Sequence, residues 1–156
     1  MRLALIAALS RNRVIGKDGK LPWHYPVDQK RFKRLTTGHA VLMGRKSWDA
    51  LGKPLPNRRN IVLSSSPVKG AECYSSIHDA LAALVSDDRV FAIGGGIIFA
   101  QLLDRADELM LTLIHRNVEG DAFFPPYEHL IGTVFVETFR EPHGEFDFVD
   151  YARKAP

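Results

Sequence analysis

The feature that most constrains this chain is the steady return of short apolar runs, each set off by turn residues and separated from the next by a stretch with helical spacing. LALIAAL (3–9), AVLMG (40–44), NIVLS (60–64), RVFAIG (89–94), ELMLTLI (108–114), TVFVETF (133–139) and FDFVDYA (146–152) read as strands. PVDQKRFKRL (26–35), RKSWDAL (45–51), SIHDALAALVS (76–86) and GIIFAQLL (96–103) read as helices between them. Near-continuous apolar strands alternating with helices bury both faces of a sheet, which predicts an α/β fold with a central, mostly parallel, twisted β-sheet and about four flanking helices. The last two runs have no helix between them and are expected as an antiparallel C-terminal hairpin at the sheet edge. With 156 residues, 46% of them hydrophobic, the whole span 1–156 is expected to form a single domain around one core.

Several function classes fall away. One cysteine, Cys73, excludes an internal disulfide and a cysteine metal cluster, and the six histidines lack ligand spacing, so no metal is expected. The N-terminal MRLALIAALSRNR imitates a secretory leader, but its apolar run ends in arginines rather than small residues, which favours a buried first strand. No apolar stretch reaches the roughly 18 residues of a membrane span. The expectation is a cytoplasmic, monomeric protein without membrane partners.

Charge is distributed unevenly. Residues 1–60 hold 14 Lys or Arg against 3 Asp or Glu, and residues 61–156 hold 7 against 15, so net +11 faces net −8. Either the halves neutralise each other in space, or a positive surface awaits a nucleic acid, a phosphorylated cofactor or a polycarboxylate. Within KLPWHYPVDQKRFKR (20–34), five basic residues surround a single acid, Asp28. With Pro26 at the start of the helix, Asp28 lies in the first turn, where the helix dipole favours an anion. Yet Asp28, Phe32 and Leu35 share one face at i, i+4, i+7, so the acid stands on the apolar side. Lys30, Arg31, Lys33 and Arg34 are expected on solvated faces. An inward carboxylate needs hydrogen bonds, and a ligand with two adjacent N–H donors would supply them. GGG at 94–96, between strand and helix, lets a backbone approach a pyrophosphate but lacks the dinucleotide fingerprint, since position 99 is Phe.

The run IGKDGKLPWHYPVDQKRFKRLT (15–36), followed in order by VLMGRKSW (41–48), PLPNRRNIVLSSS (54–66), FAIGGG (91–96) and VEGDAFFP (118–125), resembles the bacterial dihydrofolate reductase family over nearly the whole chain. That resemblance implies NADPH-dependent reduction of 7,8-dihydrofolate to tetrahydrofolate, in support of one-carbon metabolism. It also implies binding of antifolate inhibitors, and it leaves the nucleic-acid reading without a role for the inward acid or the glycines.

The resemblance also implies roles by position. Asp28 is similar to the pterin-binding acid and Thr112 to the threonine that supports it. Ile6, Phe32, Leu51 and Ile93 match apolar walls of the substrate site, Trp23 the tryptophan beside it, and Arg58 the partner of the substrate's α-carboxylate, with Arg59 left as a surface charge. Leu21 falls in the loop over the nicotinamide, whose carboxamide meets the backbone of Ala8 and Ile15 beside Gly16. Gly44, Arg45, Lys46, Ser47, Leu63, Ser64, Ser65, Gly94, Gly95, Gly96, Ile97, Ile98 and Gln101 match the remaining cofactor contacts. Of these, Arg45 with Ser65 corresponds to the readers of the 2′-phosphate, and Lys46 with Ser47 to the set near the pyrophosphate. A cis peptide is implied at Gly94–Gly95. The chain departs from common family choices at Ile97, where some members carry arginine, at Phe99, where tyrosine is frequent, and at Gln29, where several carry leucine.

Overall fold

A computed structural model of the chain describes residues 1–155. Ten strands and four helices follow in chain order: β1 Arg2–Leu9, β2 Val14–Gly16, α1 Pro26–Thr36, β3 Ala40–Gly44, α2 Arg45–Leu51, β4 Arg59–Leu63, β5 Glu72–Tyr74, α3 Ile77–Ala83, β6 Arg89–Gly94, α4 Gly96–Leu102, β7 Glu108–Ile114, β8 Ala122–Phe123, β9 Phe135–Pro142 and β10 Phe146–Arg153. Eight strands form one sheet in the order β5-β4-β3-β6-β1-β7-β10-β9. The first six run parallel; β10 lies antiparallel to both β7 and β9 and closes the edge as the expected hairpin. Strands β2 and β8 form a separate antiparallel pair.

Alternation along the central strands sorts side chains into two layers. Leu3, Leu5 and Leu9 of β1 pack with Leu42, Ala92, Leu109 and Leu111 under Ala80, Leu84, Phe99 and Leu102 from the α3–α4 side. Ala4 and Ile6, pointing the other way, pack with Val41, Met43, Phe91 and Met110 under Phe32, Leu35 and Trp48 of α1 and α2. The apolar runs of the sequence are therefore buried on both faces, as a parallel sheet requires. α1 opens with Pro26 at its first position, and α3 is capped by Ser76, whose Oγ accepts the Asp79 N–H at 3.1 Å.

Three strands lie outside the sequence expectation. β2, β5 and β8 have two or three residues each and too little apolar content to register as runs. Two charge assignments also change. Arg59 is not a free surface charge: its guanidinium is held by Glu72 at 2.5 Å and Asp87 at 2.7 Å. Arg31 does not lie on a solvated face but is buried, because Asp150 on β10 meets its guanidinium and Phe148 lies beneath it.

The loop after β1 is tied down by glycine. A Cβ at Gly120 would overlap the Val14 side chain and stand 2.7 Å from the Gly16 carbonyl oxygen, so only hydrogen fits between this segment and β2. Gly120→Ala is expected to cost about 1–3 kcal/mol of stability through overpacking, read as a lower midpoint in chemical denaturation; an unchanged midpoint would show that β2 yields freely.

Candidate active site

In a parallel sheet the loops that carry chemistry gather at the carboxyl ends of the strands. Register places Gly44 beside Leu63, Met43 beside Gly94, and Ala8 beside Thr112. Read across the sheet order, the tips of β4, β3, β6, β1 and β7 thus present Ser64, Gly44, Gly94, Ala8 and Thr112 in sequence along one edge.

At the β7 end of this edge stands Asp28. The first turn of α1 carries it inward, and Thr112 Oγ1 donates to its Oδ1 at 2.5 Å. Burial raises the Asp28 pKa above the ordinary carboxyl value, and it outweighs two opposing effects, the Thr112 hydrogen bond and the Arg31 charge. Trp23, in the loop before α1, is buried in a cluster with Ile114, Phe146 and Phe148, and its Nε1 finds no acceptor among the described residues. A buried donor of this kind belongs to a site that something else completes.

Below Asp28 the inner face of α1 continues with Phe32 and Thr36, at successive i+4 steps. Thr36 Oγ1 accepts from Arg58 Nη1 at 3.1 Å, and Arg58 Nε donates to the Pro56 carbonyl at 2.9 Å. These partners of Arg58 are uncharged, whereas its neighbour Arg59 is committed to Glu72 and Asp87. Eight residues of helix separate Asp28 from Thr36, about 12 Å along the axis. The face therefore offers an acid at one end, an aromatic ring in the middle and an arginine at the other. Ile6 is buried and Ile93 half-buried in the same apolar cluster as Phe32, and Leu51 is exposed at the end of α2.

Toward β6, β3 and β4 the edge changes character. Gly94 has φ +127°, a conformation that L side chains rarely adopt, and the Gly94–Gly95 peptide is cis, as the sequence resemblance implies. Side chains built at Gly94 and Gly95 would point at Ser47 Oγ from 3.6 and 3.7 Å, and one at Gly96 would overlap the Phe123 carbonyl. Gly94 is buried and Gly95 and Gly96 are half-buried, so the turn between β6 and α4 packs closely on Ser47 and Phe123. Arg45 reaches from α2 to Ser64 Oγ at 3.2 Å and Ser66 Oγ at 3.4 Å. The sequence comparison pairs Arg45 with Ser65; the structure brings it to the serines on either side, because alternate residues along this extended segment point the same way. The Asp49 carboxylate, on Arg45 Nε at 3.0 Å, is largely exposed and binds weakly enough to yield to a stronger anion. Lys46 is exposed nearby, and Leu63 is half-buried at the tip of β4.

Other expected residues divide by position. Leu21 is 51% exposed in the loop before α1, and Ile15 and Gly16 lie on β2 with the Gly16 carbonyl accepting the Asp121 N–H. Ile97 is 75% exposed on α4, and Gln101 is exposed further along it. Ile98 packs into the core and leaves only its backbone to the edge. Sequence reasoning missed Ser66 and Thr36; the helical spacing of Thr36 from Asp28 and Phe32 was the signal that could have found it. A hollow of about 420 Å³ lies at the opposite ends of β3, β4 and β6, lined by His39, Asp87 and Arg89 among others. Within it Arg59 is paired with Asp87, and Arg89 turns to Glu108 while its Nε finds no acceptor among the described residues; Arg58 lines the same hollow from the end of the α1 face.

A sequence profile described as "Dihydrofolate reductase" matches residues 2–153. The dihydrofolate reductase HdrB of Haloferax volcanii is 41% identical over 169 aligned positions, spanning 100% of this chain and 86% of that protein. The dihydrofolate reductase type 3 of Salmonella typhimurium is 42% identical over 97% of this chain and 94% of its own length. Among solved structures, a dihydrofolate reductase from Enterococcus faecalis complexed with NADP(H) and RAB-propyl superposes with a TM-score of 0.89 at 34% identity, covering 99% of this chain and 97% of that one.

The hydrogen bond from Thr112 can be tested by itself. Thr112→Val keeps the shape and removes the donor that lowers the Asp28 pKa, so the Asp28 carboxyl should titrate higher than in the wild type by ¹³C NMR, and Thr112→Ser should restore it. A midpoint that stays put or falls in Thr112→Val would mean that the bond contributes nothing to the charged form.

Proposed function

The chain belongs to the dihydrofolate reductase family, and on that premise we propose that the α1 face from Asp28 to Arg58 holds 7,8-dihydrofolate while the edge from Gly94 to Ser66 holds NADPH. The protein reduces dihydrofolate to tetrahydrofolate, adding a hydride at C6 and a proton at N5. The observation that carries the site assignment is the order along α1: inward acid, aromatic ring, uncommitted arginine. A substrate with a donor-rich pterin head, a flat benzoyl middle and an anionic glutamate tail meets each in turn.

Asp28 accepts paired hydrogen bonds from the pterin N3–H and 2-amino group, in the bidentate geometry that suits a carboxylate. Phe32, Leu51, Ile6 and Ile93 exclude water from the ring, and Arg58 takes the α-carboxylate. Trp23 Nε1 donates into the site from the wall beside Asp28. NADPH, when bound, supplies the hydride. The residues fit it: Gly95 and Gly96 bring backbone without side chains to the start of α4 beside Ser47, where a pyrophosphate would lie, and Arg45 with Ser64 and Ser66 forms a cationic, hydroxyl-rich pocket for a 2′-phosphate. Ala8 and Ile15 offer backbone groups to the carboxamide, under the exposed Leu21. Protonation at N5 makes the C6=N5 unit cationic and able to accept the hydride at C6, and the Asp28 carboxylate stabilises that cation through a partly dry medium. Asp28 engages the far side of the pterin, so the N5 proton comes from water admitted past Leu21. Small molecules are the partners this site suits, and the lone Cys73 accords with a reducing, cytoplasmic setting.

Asp28→Asn removes the charge and sets an NH₂ where an acceptor is needed. Turnover at neutral pH should fall about 10²- to 10³-fold, with partial recovery at lower pH where more substrate is already protonated. Stability should move the other way. A carboxyl whose folded pKa is raised contributes stability that is full below the unfolded pKa and lost as pH rises through the folded one. At neutral pH the ionised Asp28 is therefore a cost, and the Asn variant should melt no lower than the wild type. Wild-type turnover in the variant at neutral pH would remove Asp28 from the mechanism.

Arg45→Gln should cut kcat/KM for NADPH by about ten- to a hundredfold, the worth of a charge-assisted contact, and leave NADH nearly unaffected. Equal losses with the two cofactors would place the 2′-phosphate elsewhere.

A further inference from the structure

Arg31 was expected in water and is found in the core. Its Nη2 donates to both oxygens of Asp150, at 2.8 and 3.0 Å, and the two side chains are 8% and 16% exposed. The guanidinium lies 4.5 Å from the centre of the Phe148 ring and 5.8 Å from that of Phe139. A fork-shaped cation gripped by a carboxylate and stacked on an aromatic face has little freedom to move. Arg31 sits three residues after Asp28, on the next turn of the same helix. Its anchors sit on β9 and β10, and Phe148 is the register partner of Thr112. The carboxylate-bearing turn of α1 is thus fastened twice to neighbouring strands, through Asp28 to Thr112 on β7 and through Arg31 to Asp150 on β10.

We propose that the Arg31–Asp150 pair is a positioning device for Asp28, fixing the height of that turn over the substrate site and setting the electric field at its carboxylate. The inference rests on the assignment of Asp28 as the pterin-binding acid. A buried pair of this kind is no evident gain in stability over apolar residues of the same size, so its place beneath the acid calls for another account. Arg31 already acts on Asp28, since its charge is among the causes that hold down the carboxyl pKa against burial. The other charges on these elements are directed elsewhere. Asp147 is taken by His115 and Arg140, and Glu137 by Arg140. His24 contacts Gln29 at the surface, and Lys30, Lys33 and Arg34 are exposed. Thr112 is neutral. The field at Asp28 is therefore dominated by one cation and its partially cancelling anion.

The pair's two members should act with opposite sign. Arg31→Met leaves Asp150 uncompensated, so the Asp28 titration midpoint should rise. Asp150→Asn leaves Arg31 uncompensated, and the midpoint should fall. The double variant R31M/D150L removes both charges and restores folding if either single variant loses it; its midpoint should lie between wild type and Arg31→Met, with KM for dihydrofolate raised more than kcat is lowered. The midpoint is read by ¹³C NMR of the Asp28 carboxyl in the substrate-free protein, and kinetics are measured alongside. A structural strut with no hold on Asp28 would lower melting temperatures and leave every midpoint in place, or shift both single variants the same way, and either result overturns the proposal. The NMR readout does not depend on turnover. Opposite shifts with normal Asp28→Asn activity would uphold the coupling and reject the catalytic assignment instead.

Discussion

The structure depends on where β1 lies. The first strand takes the centre of the sheet, between β6 and β7, and the chain must leave it in one direction and come back past it in the other. Each crossover is right-handed in such sheets. Outward steps from β1 to β4 therefore put α1 and α2 on one face, and the return through β6 to β7 puts α3 and α4 on the other. The strand tips beside β1 are left open because no crossover bridges them from both sides. Acid, glycines and serines come from segments far apart in sequence and meet there for that reason alone.

Opening such an edge has costs that the rest of the molecule offsets. Asp28 is half-buried where its charge is poorly solvated, Trp23 keeps an indole N–H without an acceptor among the described residues, and Gly94 takes a backbone conformation that other residues rarely adopt. Each lowers stability by itself. The two apolar layers on either side of the sheet, with Leu, Val and Ile buried along every central strand, supply the margin.

The architecture was legible because apolar runs buried on both faces leave a plain mark in sequence, and α2 even begins and ends where its run does. β2, β5 and β8 were not, since strands of two or three residues are held by neighbours rather than by their own composition. Asp28 stood out through its helical spacing with Phe32, but no local pattern could show that Thr112, 84 positions later, donates to it. Arg31 shows the limit most clearly. On a helix rich in lysine and arginine its sequence context matches that of Lys30 and Lys33, and only the arrival of Asp150 from the far end of the chain turns it inward. Arg58 and Arg59 are likewise adjacent and alike, yet tertiary neighbours leave one available and saturate the other.

The central seat of β1 also governs how the protein comes off the ribosome. Leu3 is paired with Val90 and Ala4 with Glu108, so LALIAAL is made well before either strand it joins, the nearer one 87 positions on and the other 104. Contacts of such long sequence separation make for slow folding, and an unpaired apolar strand invites association with other chains in the meantime. The β3–β4 pair, joined by a short helix, can form earlier and offer a provisional edge. Until β6 and β7 have both been made, the strand on which the finished sheet is centred has neither of its neighbours.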